Sequence, residues 1–578
     1  MNSSRKVHPF DLQARAELAA RSLASLLDQE REGLMYFVAN WRAKPPRASH
    51  CLWDCGDGTG RHLDALSLLR SILPPGSPEA NPSSGEKQLE ALMLKFLGAD
   101  GLTWLLDEPF SQPWGAEMFL KLYTPGERYA EISWSQRGTL LGLTSRFLLT
   151  GETRFAIAGE NLVTGLLQVA QKHPDGLYFP EGYYRTSGWK FNGSDLYPGI
   201  EEYNAAVVVP SIRFYRATGF APALELAQGL IRFALKHSVG YLKDGSLFPG
   251  EGPTKGQGTL DHFHTRTNFL LGVLETGILT GNRELISWAR QSYDHAKLWG
   301  TDFGFFPEGM GRRHGETCCI TDMIEAAILL GRHVKRSYYA DAERFGRNHL
   351  LETQFTDHEQ LETAVGLLPP EEGDLKPDET FSTSKGVTQS QVGAFAARAT
   401  LNDAFHLDAP NMMQCCNAAG ARALYALWRY AIDDHSVHLR FSCETKQLKV
   451  VSHEPAEGRL DLLSRGDSVV EVRLPEGVSH AVVSRGSKIS SVVAQEGYAS
   501  FSAKSGETIS LHYELPLRTE SYRVGIPEKD ISCTGHWKGE TLMTVEPQGE
   551  FLPLYQRKSD LAPVNPILPL AQALTSLA

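Results

Sequence analysis

The sequence predicts a mostly helical protein that ends in a β-rich tail. Apolar residues recur at spacings of three and four along residues 10–432, which is the period of helices that bury one face. After Asp433 and Asp434 the pattern changes to short alternating or valine-rich runs separated by Gly, Ser, Pro and Asp, which is typical of an antiparallel β-sandwich. We therefore expect a helical domain over residues 1–433 and a β-sandwich domain over residues 434–578.

Size and composition agree with a soluble two-domain protein. At 578 residues the chain exceeds one hydrophobic core, and its 42% hydrophobic and 22% charged residues are those of globular proteins. The net charge of −11 argues against nucleic acid or an anionic membrane as partner. No run approaches about 18 apolar residues, and the N-terminus lacks the apolar segment of a signal peptide. Eight cysteines are too sparse for a disulfide scaffold, so we expect a reducing, cytoplasmic location.

The helical part begins with single helices and continues as a weak repeat. Helices are predicted over residues 12–38, 62–73 and 87–97. Then an apolar helix ends in Thr-Gly and a second helix follows a polar turn, around Gly151, Gly219 and Gly281, with a degenerate copy around Gly331. Such hairpins stack into an open superhelix or close into a toroid. The sequence favours the toroid, though only weakly, because the aromatic and acidic residues of the longer loops would then gather around one cavity.

Strands are predicted in the tail wherever the side-chain pattern has period two. The runs that show it are residues 437–442, 447–453, 459–465, 469–475, 480–485, 498–503, 508–515 and 541–547.

Two cysteine doublets, Cys318-Cys319 and Cys415-Cys416, hold half of the cysteines. The first follows Glu316, and both precede apolar helices, where free N–H groups and the positive end of the helix dipole stabilise thiolates. Thiolates and a carboxylate form a donor set that suits tetrahedral zinc. Buried core cysteines, or a disulfide between the doublets, are the alternatives that the sequence leaves open.

Glu-x-Cys, followed about a hundred residues later by Cys-Cys at the start of a helix, resembles the family-127 glycoside hydrolases. These are zinc-dependent cysteine glycosidases typified by β-L-arabinofuranosidase, and the resemblance covers most of the chain. It implies an (α/α)6 barrel followed by β-sandwich modules. It also implies a Zn2+ ion held by Glu316, Cys318, Cys415 and Cys416, with Cys415 as the nucleophile of a retaining exo-glycosidase that hydrolyses a terminal furanoside such as a β-L-arabinofuranoside.

The resemblance also suggests an acid/base and a histidine. Glu308 matches the family's acid/base glutamate, although its spacing to Glu316 is shorter than usual. His264 matches an inner-helix histidine, and His262 competes with it. The residues after Cys416 lack the family's proline-containing run, a departure that bears on the sugar specificity more than on the metal site.

Further substrate contacts are expected at the mouth of the barrel, where sugar rings stack on aromatic side chains and hydroxyls bind charged groups. The glycine-rich run at residues 53–61 has no valine-rich strand before it, so we do not interpret it as a dinucleotide loop. For each of these loop segments the alternative interpretation is a packed loop that makes no contact with substrate. The expected substrate contacts are Trp53, Asp57, Glu202, Tyr203, His262, His264 and Arg266.

Two other functions stay open. One is a different carbohydrate-active enzyme on the same barrel, such as an unsaturated-uronyl hydrolase or a lyase, which would need no zinc. The other is a non-catalytic glycan-binding protein in which zinc only staples the helices. A carbohydrate is the expected partner in each case, and the sequence leaves a homodimer open.

Overall fold

The structure is a computed structural model that describes residues 8–51, 55–74, 76–105, 126–180, 183–189, 205–238, 241, 243–246, 262–309, 311–371, 381–408, 412–525 and 530–557. Its helices are α1 (Leu12–Ser25), α2 (Asp57–Leu69), α3 (Ser84–Lys95), α4 (Trp134–Thr150), α5 (Thr153–Val169), α6 (Ala205–Thr218), α7 (Ala221–His237), α8 (Phe263–Thr280), α9 (Arg283–Ala296), α10 (Thr317–His333), α11 (Tyr339–Phe345), α12 (His358–Leu367), α13 (Val387–Ser390) and α14 (Gln414–Ala431). None of these described helices is both long and apolar enough to cross a bilayer.

The long helices form two concentric layers. The inner helices α2, α4, α6, α8, α10 and α14 each contact the next one in the series, and α14 contacts α2 again. The outer helices α1, α3, α5, α7, α9 and α11 alternate with them along the chain and pack against them. The ring is therefore closed, and the (α/α)6 barrel implied by the resemblance is confirmed.

Burial distinguishes the layers. Every residue from Phe263 to Gly277 of the inner helix α8 is buried, because neighbours surround it on all sides. The outer helix α9 buries only Ala289, Ser292, Tyr293 and Ala296, one stripe that faces the inner layer.

The repeated Thr-Gly motif ends three of the inner helices as predicted. Gly151, Gly219 and Gly281 follow α4, α6 and α8 with φ of 72°, 76° and 68°, the left-handed conformation of a helix cap. The fourth copy differs, because α10 continues through Gly331 to His333. A Cβ at Gly331 would lie 2.9 Å from the ring of Tyr339, so close packing of α11 accounts for this glycine.

A belt of polar side chains crosses the barrel, one from each inner helix. Arg422 pairs with Asp64 and with Glu325, the latter at 2.9 Å. Arg213 joins Glu325 to Glu275 at 2.8 and 2.9 Å, and the Ser145 hydroxyl donates to Asp64. The belt joins all six inner helices across the lumen.

Short strands connect the helices. They are β1 (Leu27–Asp28), β2 (Leu34–Met35), β3 (Val38–Asn40), β4 (Arg47–Ser49), β5 (Tyr129–Glu131), β6 (Gln171–His173), β7 (Gly176–Tyr178), β8 (Tyr183–Arg185), β9 (Ser382–Thr383) and β10 (Met412–Met413). The predicted helix over residues 12–38 is wrong beyond Ser25, because the chain there enters β1 to β3. A four-stranded sheet in the order β10-β3-β4-β9 fixes the segment that leads into α14.

The tail is built from strands. They are β11 (Ile432–Asp433), β12 (Ser436–Val437), β13 (Cys443–Glu444), β14 (Leu448–Ser452), β15 (Arg459–Ser464), β16 (Ser468–Arg473), β17 (His480–Arg485), β18 (Lys488–Val493), β19 (Tyr498–Ala503), β20 (Thr508–Tyr513), β21 (Leu517–Val524), β22 (Ile531–Lys538) and β23 (Thr541–Glu546). They form sheets in the orders β13-β14-β15-β20-β17-β18, β11-β12-β16-β19 and β21-β22-β23. Among these described strands, neighbours pair antiparallel except β12 and β16.

The change from helix to strand lies between Ala431 and Ile432, close to the expected position. One cluster of buried hydrophobic residues includes both parts of the chain, so a division into two domains at residue 433 stays a prediction. Three carboxylates and three guanidinium groups meet across the junction between helices and tail. They are Glu343, Arg347, Arg440, Glu454, Arg473 and Glu540, and each is at most 5% exposed.

Candidate active site

The N-terminal ends of several inner helices meet at one end of the barrel. Asp57 begins α2, His262 precedes the first residue of α8, and Cys318 lies in the first turn of α10. Cys415 and Cys416 lie in the first turn of α14. The repeat therefore brings together residues that are far apart in the sequence.

Three thiols and one carboxylate gather there. The Sγ atom of Cys416 lies 3.6 Å from that of Cys318, 4.0 Å from that of Cys415, and 3.7 Å from Oε1 of Glu316. Sulfurs bound tetrahedrally at a Zn–S distance of about 2.3 Å would be about 3.8 Å apart. The three sulfurs lie within 4.8 Å of one another and so have a spacing that fits a zinc ion, and Glu316 lies against one of them. Metal binding, and Glu316 as its fourth ligand, stay predictions.

The alternative of a disulfide between the doublets is not realised. All eight cysteines lie in the described part of the chain, and all are free thiols. A sulfur–sulfur distance of 3.6 Å is also far from the bonded distance of about 2.05 Å.

The three thiols of this cluster differ in burial and protonation. Cys318 and Cys416 are 0% and 1% exposed, whereas Cys415 is 7% exposed. Hydrogen bonds from Cys318 and Cys416 hold the pKa of Cys415 well below its ordinary value. Burial raises the pKa of Cys318 to about 12. Cys415 is therefore both the most accessible and the most acidic sulfur of the cluster.

Glu316 connects the sulfurs to a histidine. While its Oε1 faces Cys416, its Oε2 lies 3.0 Å from Nε2 of His262. Burial acts to raise the pKa of Glu316, but the charge and hydrogen bond of His262 outweigh it and hold that pKa well below its usual range. Glu316 is therefore ionised, as a metal ligand must be.

Glu308 lies beside this group. An oxygen of Glu308, an oxygen of Glu316 and a ring nitrogen of His262 lie within 4.8 Å of one another. Arg398 donates to Oε1 of Glu308 from Nε and Nη2 at 3.1 and 2.7 Å, and Nε2 of His314 donates to Oε2 at 2.6 Å. Burial acts to raise the pKa of Glu308, but the His314 hydrogen bond and the Arg398 charge outweigh it and lower the pKa.

Backbone contacts fix Glu308 in place. The segment folds back so that Pro307 and Gly315 form a β-bridge, and the Glu308 N–H donates to the His314 carbonyl at 2.9 Å. The carbonyl of Glu308 accepts from the Phe263 N–H at 2.6 Å. Glu308 is therefore positioned against the start of α8.

Both ring nitrogens of His264 are used within the protein. Nδ1 donates to Asp322 at 2.7 Å, and Nε2 accepts from Arg137 at 2.9 Å. The ring stacks on Trp134 with 5.4 Å between centroids. His262 is more accessible, with 33% of its side chain exposed.

The remaining residues that were predicted to contact substrate do not all lie at the sulfur cluster. Asp57 reaches the sulfurs through Arg61, which donates to Asp57 at 3.4 Å and to Sγ of Cys318 at 3.4 Å. Arg266 lies with its guanidinium 5.6 Å from the ring centre of Tyr241. Trp53, Glu202 and Tyr203 lie outside the described residues. Sugar contacts for all of these residues stay predictions.

Several site residues were missed at the level of sequence. Single arginines and histidines carry no periodic signal, and their partners lie far away in the chain. Two of them carried a local hint: His314 lies close to Glu316 in the sequence, and Arg61 ends the glycine-rich run at residues 53–61. The missed residues are Arg61, Trp134, Arg137, His314, Asp322 and Arg398.

The fold is similar to that of several solved glycoside hydrolases. A GH127 β-L-arabinofuranosidase from Geobacillus stearothermophilus T6 matches with a TM-score of 0.54 and 13% identity, over 92% of this chain and 80% of the other. A second GH127 β-arabinofuranosidase matches with a TM-score of 0.53 and 13% identity, over 93% and 81%. A third structure, described as a glycoside hydrolase, matches with a TM-score of 0.51 and 12% identity, over 89% and 84%.

No protein-family model matches the sequence, and no curated protein matches it. At such low identity the structural likeness establishes a shared fold. The resemblance to family 127 seen in the cysteine motif is thereby confirmed at the level of the fold.

Proposed function

We propose that this protein is a retaining exo-glycosidase in which Cys415 is the nucleophile and a zinc ion is held by Glu316, Cys318, Cys415 and Cys416. The observation that carries the proposal is that two further sulfurs and the Glu316 carboxylate lie 3.6–4.0 Å from Sγ of Cys416, at the barrel end that also holds Glu308. The GH127 structures of similar fold are β-arabinofuranosidases, which suggests a terminal furanoside such as a β-L-arabinofuranoside as substrate.

The first step forms a bond between Sγ of Cys415 and the anomeric carbon of the sugar. The bond from that carbon to the leaving-group oxygen breaks, and Glu308 gives this oxygen a proton. Zinc, when bound, would keep the thiols deprotonated. Because Glu308 must hold a proton at this stage, its ion pair with Arg398 has to loosen as the leaving group enters.

The second step releases the sugar from Cys415. Water attacks the anomeric carbon, the carbon–sulfur bond breaks, and Glu308 takes the proton from water. The lowered pKa of Glu308 suits this step, because a base has to be ionised. Two displacements at one carbon retain its configuration.

The test combines metal analysis with activity. Freshly reduced protein is expected to contain one equivalent of zinc and to release the aglycone from at least one member of a panel of aryl glycosides that includes furanosides. In Glu308→Gln the second step slows, so intact-mass spectrometry and peptide mapping are expected to find the sugar on Cys415.

Three outcomes would contradict the proposal. Zinc-free reduced protein would exclude the metal site. Turnover that survives complete zinc removal would point to another (α/α)6-barrel enzyme, and a sugar adduct on a carboxylate would exclude the cysteine nucleophile. If the wild type showed no turnover and Cys415→Ser lost only zinc and stability, that result would favour a non-catalytic glycan-binding protein in which zinc holds the helices together.

A further inference from the structure

We propose that Arg61 is a positioning residue of the sulfur cluster. Its guanidinium donates a hydrogen bond to Cys318, fixes the position of that sulfur and places positive charge beside the donor set, while Cys415 stays the accessible sulfur. The inference deepens the proposed function and rests on it for the role of Cys415.

The geometry supports one fixed orientation of the guanidinium. Arg61 lies in the second turn of α2 and is 6% exposed. Nη2 is 3.4 Å from Sγ of Cys318, and Nη1 is 3.4 Å from Oδ2 of Asp57. A guanidinium has only donors, so the sulfur has to accept. Asp57, which is 4% exposed, holds the other side of the fork.

The charge count explains why a cation is needed there. Three thiolates and Glu316 carry four negative charges, and a divalent ion neutralises two of them. The remaining charge is buried, where an uncompensated charge is strongly unfavourable. Arg61 places a guanidinium in hydrogen-bonding contact with the donor set and shares its positive charge between Cys318 and Asp57.

Arg61 also separates the roles of two cysteines. Cys318 is fully buried and accepts a hydrogen bond from Arg61. This hydrogen bond makes the Cys318 sulfur less nucleophilic. Cys415 is the most exposed of the three sulfurs. The arrangement therefore favours Cys318 as a permanent ligand and Cys415 as the attacking group.

The test measures zinc affinity in the full-length reduced chain by competition with a chromophoric chelator. Removing a group that supports a metal ligand typically weakens binding about 10–100-fold, and we expect that loss in Arg61→Met. Arg61→Lys keeps the charge without the planar fork and is expected to fall between Arg61→Met and the wild type. Arg137→Met is the control, because Arg137 is a buried arginine that lines the same cavity as Arg61 and Cys318 but donates to His264. We expect a change of no more than a few-fold in this variant.

Folding is checked by circular dichroism and urea midpoints. If Arg61→Met does not fold, Arg61→Lys provides the test, since it loses the planar fork that joins Cys318 and Asp57 and is expected to weaken zinc binding several-fold. Wild-type affinity in the folded variant, or an equal loss in Arg137→Met, would overturn the inference.

The outcome separates this inference from the proposed function. A wild type that binds zinc and depends on Arg61 for affinity, yet hydrolyses no glycoside, would contradict the function and leave the role of Arg61 standing. If the wild type hydrolyses a glycoside and Arg61→Met binds zinc with unchanged affinity, the proposed function stands and the role of Arg61 is contradicted. A wild type that binds no zinc would contradict both.

Discussion

The two cysteine doublets are used differently, although in both of them consecutive residues at a helix start point in directions about 100° apart. In the second doublet both sulfurs belong to the cluster of three. In the first, Cys318 turns toward the other thiols, while Cys319 lies 3.9 Å from Oε2 of Glu316, the oxygen that faces His262. The orientation at each helix start therefore selects the ligands.

This difference predicts unequal effects of substitution in the first doublet. Cys318→Ser is expected to lower the zinc affinity at least tenfold, since a hydroxyl is a poor substitute for a thiolate ligand. Cys319→Ser makes the same sulfur-to-oxygen exchange at the neighbouring buried residue. This variant is expected to keep one equivalent of zinc. Metal analysis after dialysis against a weak chelator measures both variants, and equal losses would contradict the assigned ligands.

The residues of the site could be predicted only where a motif marked them. Glu316 and the two doublets lie in short patterns, and the structure brings their side chains together. Arg61 and Arg398 lie 257 and 80 positions from Cys318 in the sequence and touch the site only through the fold. No local pattern indicates that either arginine contacts the sulfurs or Glu308.

Among the elements, the Thr-Gly caps were the most predictable feature. Each requires a residue with positive φ just after a helix, and glycine adopts that conformation without steric strain. The local sequence therefore determines where α4, α6 and α8 end.

We expect Gly281→Ala to lower the free energy of unfolding by about 1 kcal/mol. A Cβ there meets no atom within 4 Å, so the effect comes from φ of 68° alone. Gly366→Ala is the matched control, because Gly366 also has free space around it but lies inside α12. There alanine is expected to stabilise by about 0.5–1 kcal/mol. Urea denaturation measures both, and a loss of stability in both variants would contradict the reasoning.

Other elements were missed because their side chains do not follow the expected pattern. The strands β18, β21 and β22 were not predicted, since β18 and β21 are largely exposed and polar. Of the predicted strand over residues 437–442, only Val437 lies in a strand, as the last residue of β12. The backbone N–H of Arg440 donates to Glu343 instead of a neighbouring strand, because this residue belongs to the buried charge network.

At the scale of the molecule, charge networks hold the parts together. The belt across the lumen joins the six inner helices, and the network of Glu343, Arg440 and Glu540 joins barrel and tail. Buried ion pairs depend on every partner, since removing one leaves an uncompensated charge.

We therefore expect Glu540→Gln to lower the free energy of unfolding by about 3–5 kcal/mol. Glu540 accepts from Arg440 and Arg473 at 2.8 Å each and is 1% exposed. Glu476→Gln removes a carboxylate that pairs with Arg344 but is 72% exposed, and we expect a change below about 1 kcal/mol. Urea denaturation of the two variants measures the difference, and similar losses would show that the junction network does not stabilise the fold.

The same junction predicts how stability depends on pH. His349 is 1% exposed and its Nδ1 lies 2.6 Å from the Tyr555 hydroxyl in the tail. Burial lowers the pKa of His349 to about 3, whereas the unfolded chain has a histidine pKa of about 6.5. Above pH 6.5 both states are neutral and His349 has no effect. Below it only the unfolded state takes up the proton, so the free energy of unfolding falls by about 1.4 kcal/mol per pH unit down to about pH 3.

His349→Gln removes this proton while its amide can still bind Tyr555. We measure the free energy of unfolding with urea between pH 6 and 4. In this variant the number of protons taken up on unfolding, which sets the slope against pH, is expected to be smaller by about one. His480→Gln is the control, because His480 is exposed and its loss should leave that dependence unchanged. If His349→Gln kept the wild-type slope, His349 would have to be protonated in the folded protein, and the junction would have to accommodate a buried cation there.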